Sequence, residues 1–242
     1  MGDNSAIQWT ETTWNPTTGC SKVSRGCANC YAEREHFRLE KMGQAKYQGG
    51  FKQLRTHQFE LDRPKRWTRG RMIFVNSMSD IFHADIPEIF IMAVWAVMNE
   101  CPQHQFQVLT KRTDRMVELA HKLTWTPNIW MGVSVEDHRV IGRVKQLQRV
   151  PAFIRFISAE PLVNDIGPLN LEGIQWLIAG GESGPRCAEM DLAWPRNLLR
   201  QCREQHVAFF MKQLGGVWNK RGKLEDLPED LRVREFPWMA VR

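Results

Sequence analysis

The sequence predicts an α/β protein built on a parallel sheet, in the form of a complete or partial TIM-like β/α barrel of six or seven strands. Three features predict it: short apolar runs recur along the chain, helix-like segments separate them, and polar residues follow them. Continuous runs of Val, Ile and Phe are typical of strands buried on both faces, as in parallel sheets. Regular alternation of such runs with helices favours parallel β/α units. A doubly wound sheet is the alternative.

The elements follow one another in a regular order. Pro87 suits a first helical turn, because proline lacks the N–H that would be unpaired there, and Thr113 and Asp137 suit helix N-caps. The predicted strands are residues 12–15, 72–76, 106–110, 129–134, 153–158, 174–179 and 207–211, the first being the least regular. The predicted helices are residues 31–42, 87–100, 113–123, 137–148 and 194–205.

Length and composition narrow the class of protein. With 242 residues and 43% hydrophobic residues, the chain resembles an ordinary globular protein rather than a disordered one. It has no apolar run of about 20 residues that would cross a membrane, and its polar beginning does not resemble a secretory signal. We therefore expect a cytoplasmic protein with a single domain over residues 1–242, with a basic insertion at about residues 41–71.

The basic insertion carries more than the whole net charge of the chain. Residues 41–71 hold nine Lys or Arg and two acidic residues, a net charge of +7 against +6 for the entire chain. Tyr47, Phe51, Phe59 and Trp67 lie among these charges. Cations interleaved with aromatics offer phosphate contacts and stacking platforms, which predicts nucleic-acid binding with Trp67 as a stacking residue; the preference for DNA over RNA comes only from the family resemblance given below. The alternative is a solvated loop whose aromatics anchor it in the core.

Polar residues directly follow the predicted strands. The carboxyl ends of parallel strands meet on one face of the sheet, where binding sites are built. We therefore expect a site on that face. Its candidate residues after three successive strands are Ser77, Ser79 and Asp80, then Thr110 and Lys111, then Ser134 and Glu136.

Three of the six cysteines form a compact motif. Cys20, Cys27 and Cys30 follow the first predicted strand with the spacing Cys-x6-Cys-x2-Cys. A closed zinc site needs four ligands, and His36 lies six residues into the next predicted helix, facing another direction. A [4Fe–4S] cluster held by three thiolates instead leaves one iron open to a further ligand. The motif favours the cluster, with a zinc site or no metal as alternatives.

Together these motifs resemble the radical S-adenosylmethionine (SAM) superfamily. The segments WNPTTGC (14–20), CANCYA (27–32), SAEPL (158–162) and GGESG (180–184) also closely resemble a phage-associated family of uncharacterised three-cysteine proteins. A fainter similarity is to spore photoproduct lyase. The first gap of the motif is six residues, where three is common in the superfamily, and Tyr31 follows the last cysteine.

The resemblance implies a [4Fe–4S] cluster on the three cysteines, SAM as a second cofactor, an electron donor, and a 5′-deoxyadenosyl radical that acts on nucleic acid in repair or base modification. Asp80, with Ser77 and Ser79, would accept hydrogen bonds from the SAM ammonium, and Lys111 beside Thr110 would pair with its carboxylate. Ser134 and Glu136 would reach the ribose, Tyr31 would lie beside the cofactors, and Cys187 would return a hydrogen atom to a product radical. The alternative function is a non-catalytic, zinc-containing nucleic-acid-binding protein.

Overall fold

The computed structural model describes residues 5–237, and within them the predicted alternation of strands and helices is present. The strands are β1 (Thr12–Trp14), β2 (Thr17–Thr18), β3 (Arg55–Thr56), β4 (Met72–Val75), β5 (Gln105–Thr110), β6 (Ile129–Ser134), β7 (Ile154–Ala159), β8 (Trp176–Gly180) and β9 (Ala208–Gln213). The helices are α1 (Tyr31–Lys41), α2 (Glu88–Glu100), α3 (Thr113–Ala120), α4 (Gly142–Gln148) and α5 (Ala193–Glu204).

The main sheet confirms the predicted fold class. Among the described residues it has seven parallel strands in the order β1-β4-β5-β6-β7-β8-β9, while β2 and β3 form a separate antiparallel pair. Strand order therefore follows chain order, as in a partial TIM-like β/α barrel. A doubly wound sheet would reverse direction at a switch point.

The chain divides into two compact units. The first comprises Met1–Val23, Cys30–Met131 and Val150–Phe153, and it contains β1 to β5 with α1, α2 and α3. The second comprises Ser24–Asn29, Gly132–Arg149 and Ile154–Arg242, and it contains β7 to β9 with α4 and α5. Strand β6 begins in the first unit and ends in the second.

The strands are buried because both of their faces are apolar. Every residue of β6 and β8 is buried, and Trp14, Phe106, Phe156 and Trp176 are among the largest fully buried side chains. In the second unit Trp176 packs edge-on against Phe210 at 6.0 Å between ring centroids. Continuous apolar runs thus formed parallel strands, as the sequence predicts.

Some helix boundaries differ from the prediction. Asp137 caps a short 3-10 turn by accepting a hydrogen bond from the Arg139 amide at 2.9 Å, and α4 begins only at Gly142. The prediction of Thr113 as an N-cap is wrong, because Arg112 holds that position and Thr113 is the first helical residue. Pro87 lies one position earlier than predicted, as the N-cap of α2.

Candidate functional site

The loop after β4 is held by side chains that follow β1. The Asn15 side-chain oxygen accepts hydrogen bonds from the Ser77 hydroxyl and the Met78 amide, each at 3.1 Å. The Asn76 amide donates to the Trp14 carbonyl at 2.8 Å, and Asn76 has a φ of 59°, which asparagine tolerates better than most residues. These bonds fix the polar segment that leads to Asp80.

Asp80 is the buried centre of the strand-end residues in the first unit. One carboxylate oxygen accepts from the Thr110 hydroxyl at 2.7 Å and the Phe82 amide at 3.1 Å. The other accepts from the Lys111 amide at 3.0 Å and the Arg112 guanidinium at 3.2 Å. The structure therefore brings Asp80, Thr110 and Lys111 together, and the ion-pair partner of Asp80 is Arg112 rather than Lys111.

Arg112 connects this carboxylate to the cysteine motif, and the sequence reasoning missed it. Its guanidinium lies 3.6 Å from the Cys20 sulfur and donates to the Ser21 carbonyl at 2.9 Å and the Ser21 hydroxyl at 3.0 Å. The same hydroxyl is 2.8 Å from the His83 ring. The sequence signal for Arg112 was its position directly after Thr110 and Lys111. Because Lys111 and Arg112 are consecutive cations, the sequence offered no reason to choose Arg112 over Lys111.

Two thiols of the motif pack against apolar side chains of the first unit. Cys20 and Cys30 lie against a cluster formed by Ala32, Leu39, Tyr47, Phe51 and Met78. Burial raises the pKa of the Cys20 thiol to about 11, and the Arg112 guanidinium partly offsets this by favouring the thiolate. Since metals bind the thiolate, iron binding at Cys20 would release a proton.

Replacing Arg112 by alanine should therefore make the Cys20 thiol less reactive. Without the guanidinium the pKa of this thiol rises further, so the thiolate fraction falls at any pH below it. We expect slower alkylation of Cys20 by iodoacetamide at about pH 9, measured by peptide mass spectrometry. Lys111→Ala is the matched control, because it removes the neighbouring cation, which makes no hydrogen bond to Cys20 among residues 5–237. Equal rates in wild type and Arg112→Ala would contradict the assignment.

The segment Ser24–Asn29, which carries Cys27, is held in the second unit by Glu136. One oxygen of this fully buried carboxylate accepts a hydrogen bond from the Ser24 hydroxyl, and the other accepts from Arg143 at 2.9 Å. Arg143 also donates to the Ser134 carbonyl at 2.8 Å. Gly26 passes so close that an added Cβ would lie 2.8 Å from the Glu136 side chain, so the close approach requires glycine.

A second carboxylate of this unit, Glu182, holds the other end of the segment. One of its oxygens accepts from the Asn29 side-chain amide at 3.0 Å and from the Ala188 backbone amide at 2.9 Å. Glu136 and Glu182 follow strands β6 and β8 and are both buried. Two strand ends therefore position the segment that bears Cys27.

The remaining predicted residues occupy varied environments. Tyr31 is 47% exposed and donates its hydroxyl to the Ser77 carbonyl at 2.6 Å. The Ser79 hydroxyl is buried and has no hydrogen-bond partner in the described part of the chain. Ser134 is buried, and Cys187 is a half-buried free thiol in the loop after β8, where its amide donates to the Gly184 carbonyl at 3.1 Å.

Fewer cations of the basic insertion are free to contact nucleic acid than its sequence suggests. Lys46 is bound to Glu60 at 2.6 Å and to the Asn15 carbonyl at 2.6 Å, and Lys65 pairs with Glu100 at 2.6 Å. The exposed basic residues of the insertion are Lys41, Lys52, Lys65, Arg66 and Arg69.

The prediction of Trp67 as a stacking residue is wrong, because its ring is buried. The Arg63 and Arg71 guanidiniums lie 5.5 and 5.1 Å from the Trp67 ring centre. Tyr47 and Phe51 are also buried, whereas Phe59 is 67% exposed. These three buried rings anchor the insertion, and Phe59 is the aromatic of the four that faces solvent.

Two negative findings apply to residues 5–237. No group of three or more His, Cys, Asp or Glu side chains converges as it would on a single metal ion. No helix in this range is both long and apolar enough to cross a membrane.

Comparison with known proteins identifies one family. The model of the family described as "Protein of unknown function (DUF5131)" matches residues 4–234. A comparison with curated proteins found no match. Among solved structures, a spore photoproduct lyase complexed with dinucleoside spore photoproduct aligns with a TM-score of 0.41 and 12% sequence identity. The alignment covers 78% of this chain and 59% of the spore photoproduct lyase chain, so this chain matches less than two thirds of the length of that protein.

Proposed function

We propose that this chain, which belongs to the DUF5131 family, is a radical SAM enzyme that acts on nucleic acid. The observation that carries the proposal is the contact of Cys20 with Arg112, whose guanidinium in turn pairs with Asp80 after β4. Polar residues at strand ends and a cysteine of the three-cysteine motif thus belong to one hydrogen-bonded group. The group lies at the carboxyl ends of parallel strands, the face on which β/α folds build their binding sites.

Cys20, Cys27 and Cys30 fit a [4Fe–4S] cluster better than a zinc ion. A closed zinc site needs four donors around one point, whereas the sequence motif supplies three thiolates. In a four-iron cluster each thiolate binds a different iron, so the three sulfurs need not converge on one point. The apolar packing of Cys20 and Cys30 also suits an iron–sulfur cluster, whose reactivity depends on limited solvent exposure.

The strand-end residues of the first unit fit the methionyl part of SAM. The Lys111 ammonium makes no hydrogen bond or ion pair with the rest of the described chain, so it is free to take a carboxylate. The Ser79 hydroxyl, also without a partner there, is free to accept from the SAM ammonium. Asp80 already accepts four hydrogen bonds, and its negative charge would attract that ammonium. A cluster bound here would supply one electron to SAM, yielding methionine and the 5′-deoxyadenosyl radical.

Glu136 and Glu182 act in this proposal by holding the segment that bears Cys27. Both Glu136 oxygens are engaged by Ser24 and Arg143, which supports a positioning role more strongly than contact with the SAM ribose. The Ser134 side chain is then the remaining candidate for a contact with the SAM ribose. Cys187, a half-buried free thiol, is proposed to return a hydrogen atom to the product radical.

The proposed partner is nucleic acid, DNA rather than RNA, and an electron donor is needed to reduce the cluster. The exposed cations of the insertion other than Lys65, namely Lys41, Lys52, Arg66 and Arg69, support this partner, because phosphates can reach them.

Anaerobic reconstitution tests the proposal directly. Protein given iron, sulfide, SAM and dithionite should bind iron, turn brown and release 5′-deoxyadenosine, faster when DNA is added. Colourless protein that holds stoichiometric zinc would favour the zinc-containing binding protein, and iron-loaded protein that never forms 5′-deoxyadenosine would contradict the radical chemistry.

Lys111→Ala should weaken SAM binding at least tenfold without removing iron. A charged partner in a partly desolvated site contributes about 2–5 kcal/mol, and Lys111 is the cation assigned to the SAM carboxylate. Calorimetry on the iron-loaded protein measures the affinity, and Lys111→Arg, which keeps the charge, should restore part of it. Equal SAM affinity in wild type and Lys111→Ala would show that Lys111 does not contact the cofactor.

A further inference from the structure

The loop after β9, residues 214–221, is braced by hydrogen bonds on both sides. The Leu214 amide donates to the Arg221 carbonyl at 3.2 Å, and the Gly215 amide donates to the Lys220 carbonyl at 3.0 Å. The Arg221 guanidinium closes the loop by donating to the Gly215 carbonyl at 2.9 Å. The backbone of this loop is therefore held in a defined conformation.

The neighbouring loop after β8 supports it. The Gly216 amide donates to the Glu182 carbonyl at 3.0 Å, and the Gly184 amide donates to the Gly216 carbonyl at 2.9 Å. Gly215 has a φ of +89°, and an added Cβ would lie 2.2 Å from the Glu182 carbonyl oxygen, so only glycine fits. These contacts tie the 214–221 loop to the segment that also holds Asn29.

The tip of the loop presents a tryptophan to solvent. Trp218 is 97% exposed, more than any other large hydrophobic side chain described, and its apolar neighbour Val217 is 47% exposed. A fully exposed indole contributes nothing to packing, so its place on a braced loop requires another explanation. A flat ring on a rigid support can stack with little loss of conformational entropy.

A lysine with no carboxylate partner among residues 5–237 lies at the base of the same loop. Residues 212–223 contain four Lys or Arg and no acidic residue. Lys212 is bound to Glu160 at 2.8 Å, whereas half-buried Lys220 has no carboxylate within ion-pair distance in the described chain. Burial and the nearby Lys212 charge lower the pKa of Lys220, so an arriving anion would relieve the repulsion.

We infer that the 214–221 loop binds single-stranded nucleic acid, with Trp218 stacking on a base and Lys220 contacting a phosphate. The loop follows β9 at its carboxyl end, the side of a parallel sheet on which sites are built. A lone indole with one small apolar neighbour offers too little area for a protein interface or a membrane surface, both of which need a wider apolar patch. The choice of nucleic acid rests on the proposed function; the stacking role of the loop is additional to it.

Binding of a labelled oligonucleotide, followed by fluorescence anisotropy at two salt concentrations, tests the inference without SAM or reductant. Trp218→Ala should weaken binding of a single strand about 5- to 150-fold, and Trp218→Phe should keep most of the affinity. Lys220→Ala should reduce the slope of log K against log salt by about 1. Phe153→Ala is the matched control, since Phe153 is also exposed, at 67%, but precedes the amino end of β7.

The outcomes separate this inference from the proposed function. Wild-type affinity in Trp218→Ala would overturn the stacking role while leaving the radical chemistry intact. An equal loss in Phe153→Ala would also overturn it, as would Trp218-dependent binding to phosphatidylserine vesicles with unchanged DNA affinity. Loss of single-strand binding in Trp218→Ala, together with unchanged 5′-deoxyadenosine release in the absence of DNA, would confirm it.

Discussion

Replacement of Cys20, Cys27 or Cys30 by alanine is expected to reduce bound iron to near zero and to remove the brown colour of the reconstituted protein. Three thiolates are the minimum for a cluster with one open iron. No group of three or more His, Cys, Asp or Glu side chains among the described residues is arranged to bind the metal in their place. Iron analysis and absorption of the anaerobically reconstituted variants measure the effect.

The other cysteines provide the controls. Cys101 and Cys202 are buried, and Cys187 lies in the loop after β8, so each alanine variant should bind iron like the wild type. Circular dichroism verifies that every variant is folded. Wild-type iron content in Cys27→Ala would contradict the three-cysteine assignment, as would iron loss in Cys101→Ala with an intact fold.

Asp80→Ala should reduce the free energy of unfolding by about 3–5 kcal/mol, the usual cost of removing one partner of a buried ion pair. The Arg112 guanidinium would stay nearly buried without its carboxylate, and the Phe82 and Lys111 amides would lose their acceptor. Urea unfolding measures the loss, with an unchanged m value showing that the unfolding reaction is the same.

Asp62→Ala is the matched control for this substitution. Asp62 is an exposed carboxylate in the same unit, so its removal should change the unfolding free energy by less than about 0.5 kcal/mol. Asp80→Asn should be less destabilising than alanine, since one amide oxygen still accepts hydrogen bonds. An Asp80→Ala protein as stable as Asp62→Ala would mean that the hydrogen bonds around Asp80 do not hold the strand ends together.

The seven predicted strands differ from the strands of the main sheet by two residues or fewer at each end, whereas β2 and β3 were not predicted. The position of the main-sheet strands is local information, because a strand buried on both faces must be apolar throughout. The structure places Asp80 within hydrogen-bond distance of the Thr110 hydroxyl and the Lys111 backbone amide, since neighbouring parallel strands place their carboxyl ends side by side. Helix starts were predicted less well, because capping depends on hydrogen bonds that the sequence does not show.

The composition of the basic insertion does not show which of its charged and aromatic side chains are exposed. The sequence gives its net charge, but the structure shows that half-buried Lys46 is paired with Glu60 and that Trp67 lies beneath Arg63 and Arg71. A lysine in solvent and a lysine in a buried ion pair are the same residue type in the sequence, so only the tertiary structure distinguishes them. Trp218, by contrast, is one tryptophan of ten in the sequence and is singled out by its exposure.

The sequence by itself determined the parallel α/β class, the positions of the strands and the residues that follow them, because these depend on the periodicity and spacing of neighbouring residues. Tertiary structure decided which partner each of those residues has. Asp80 pairs with Arg112 rather than Lys111, and Glu136 binds Ser24, more than 100 positions away in the chain. Such contacts join residues distant in sequence, and a partner is chosen by distance and direction in space, which a linear pattern does not contain.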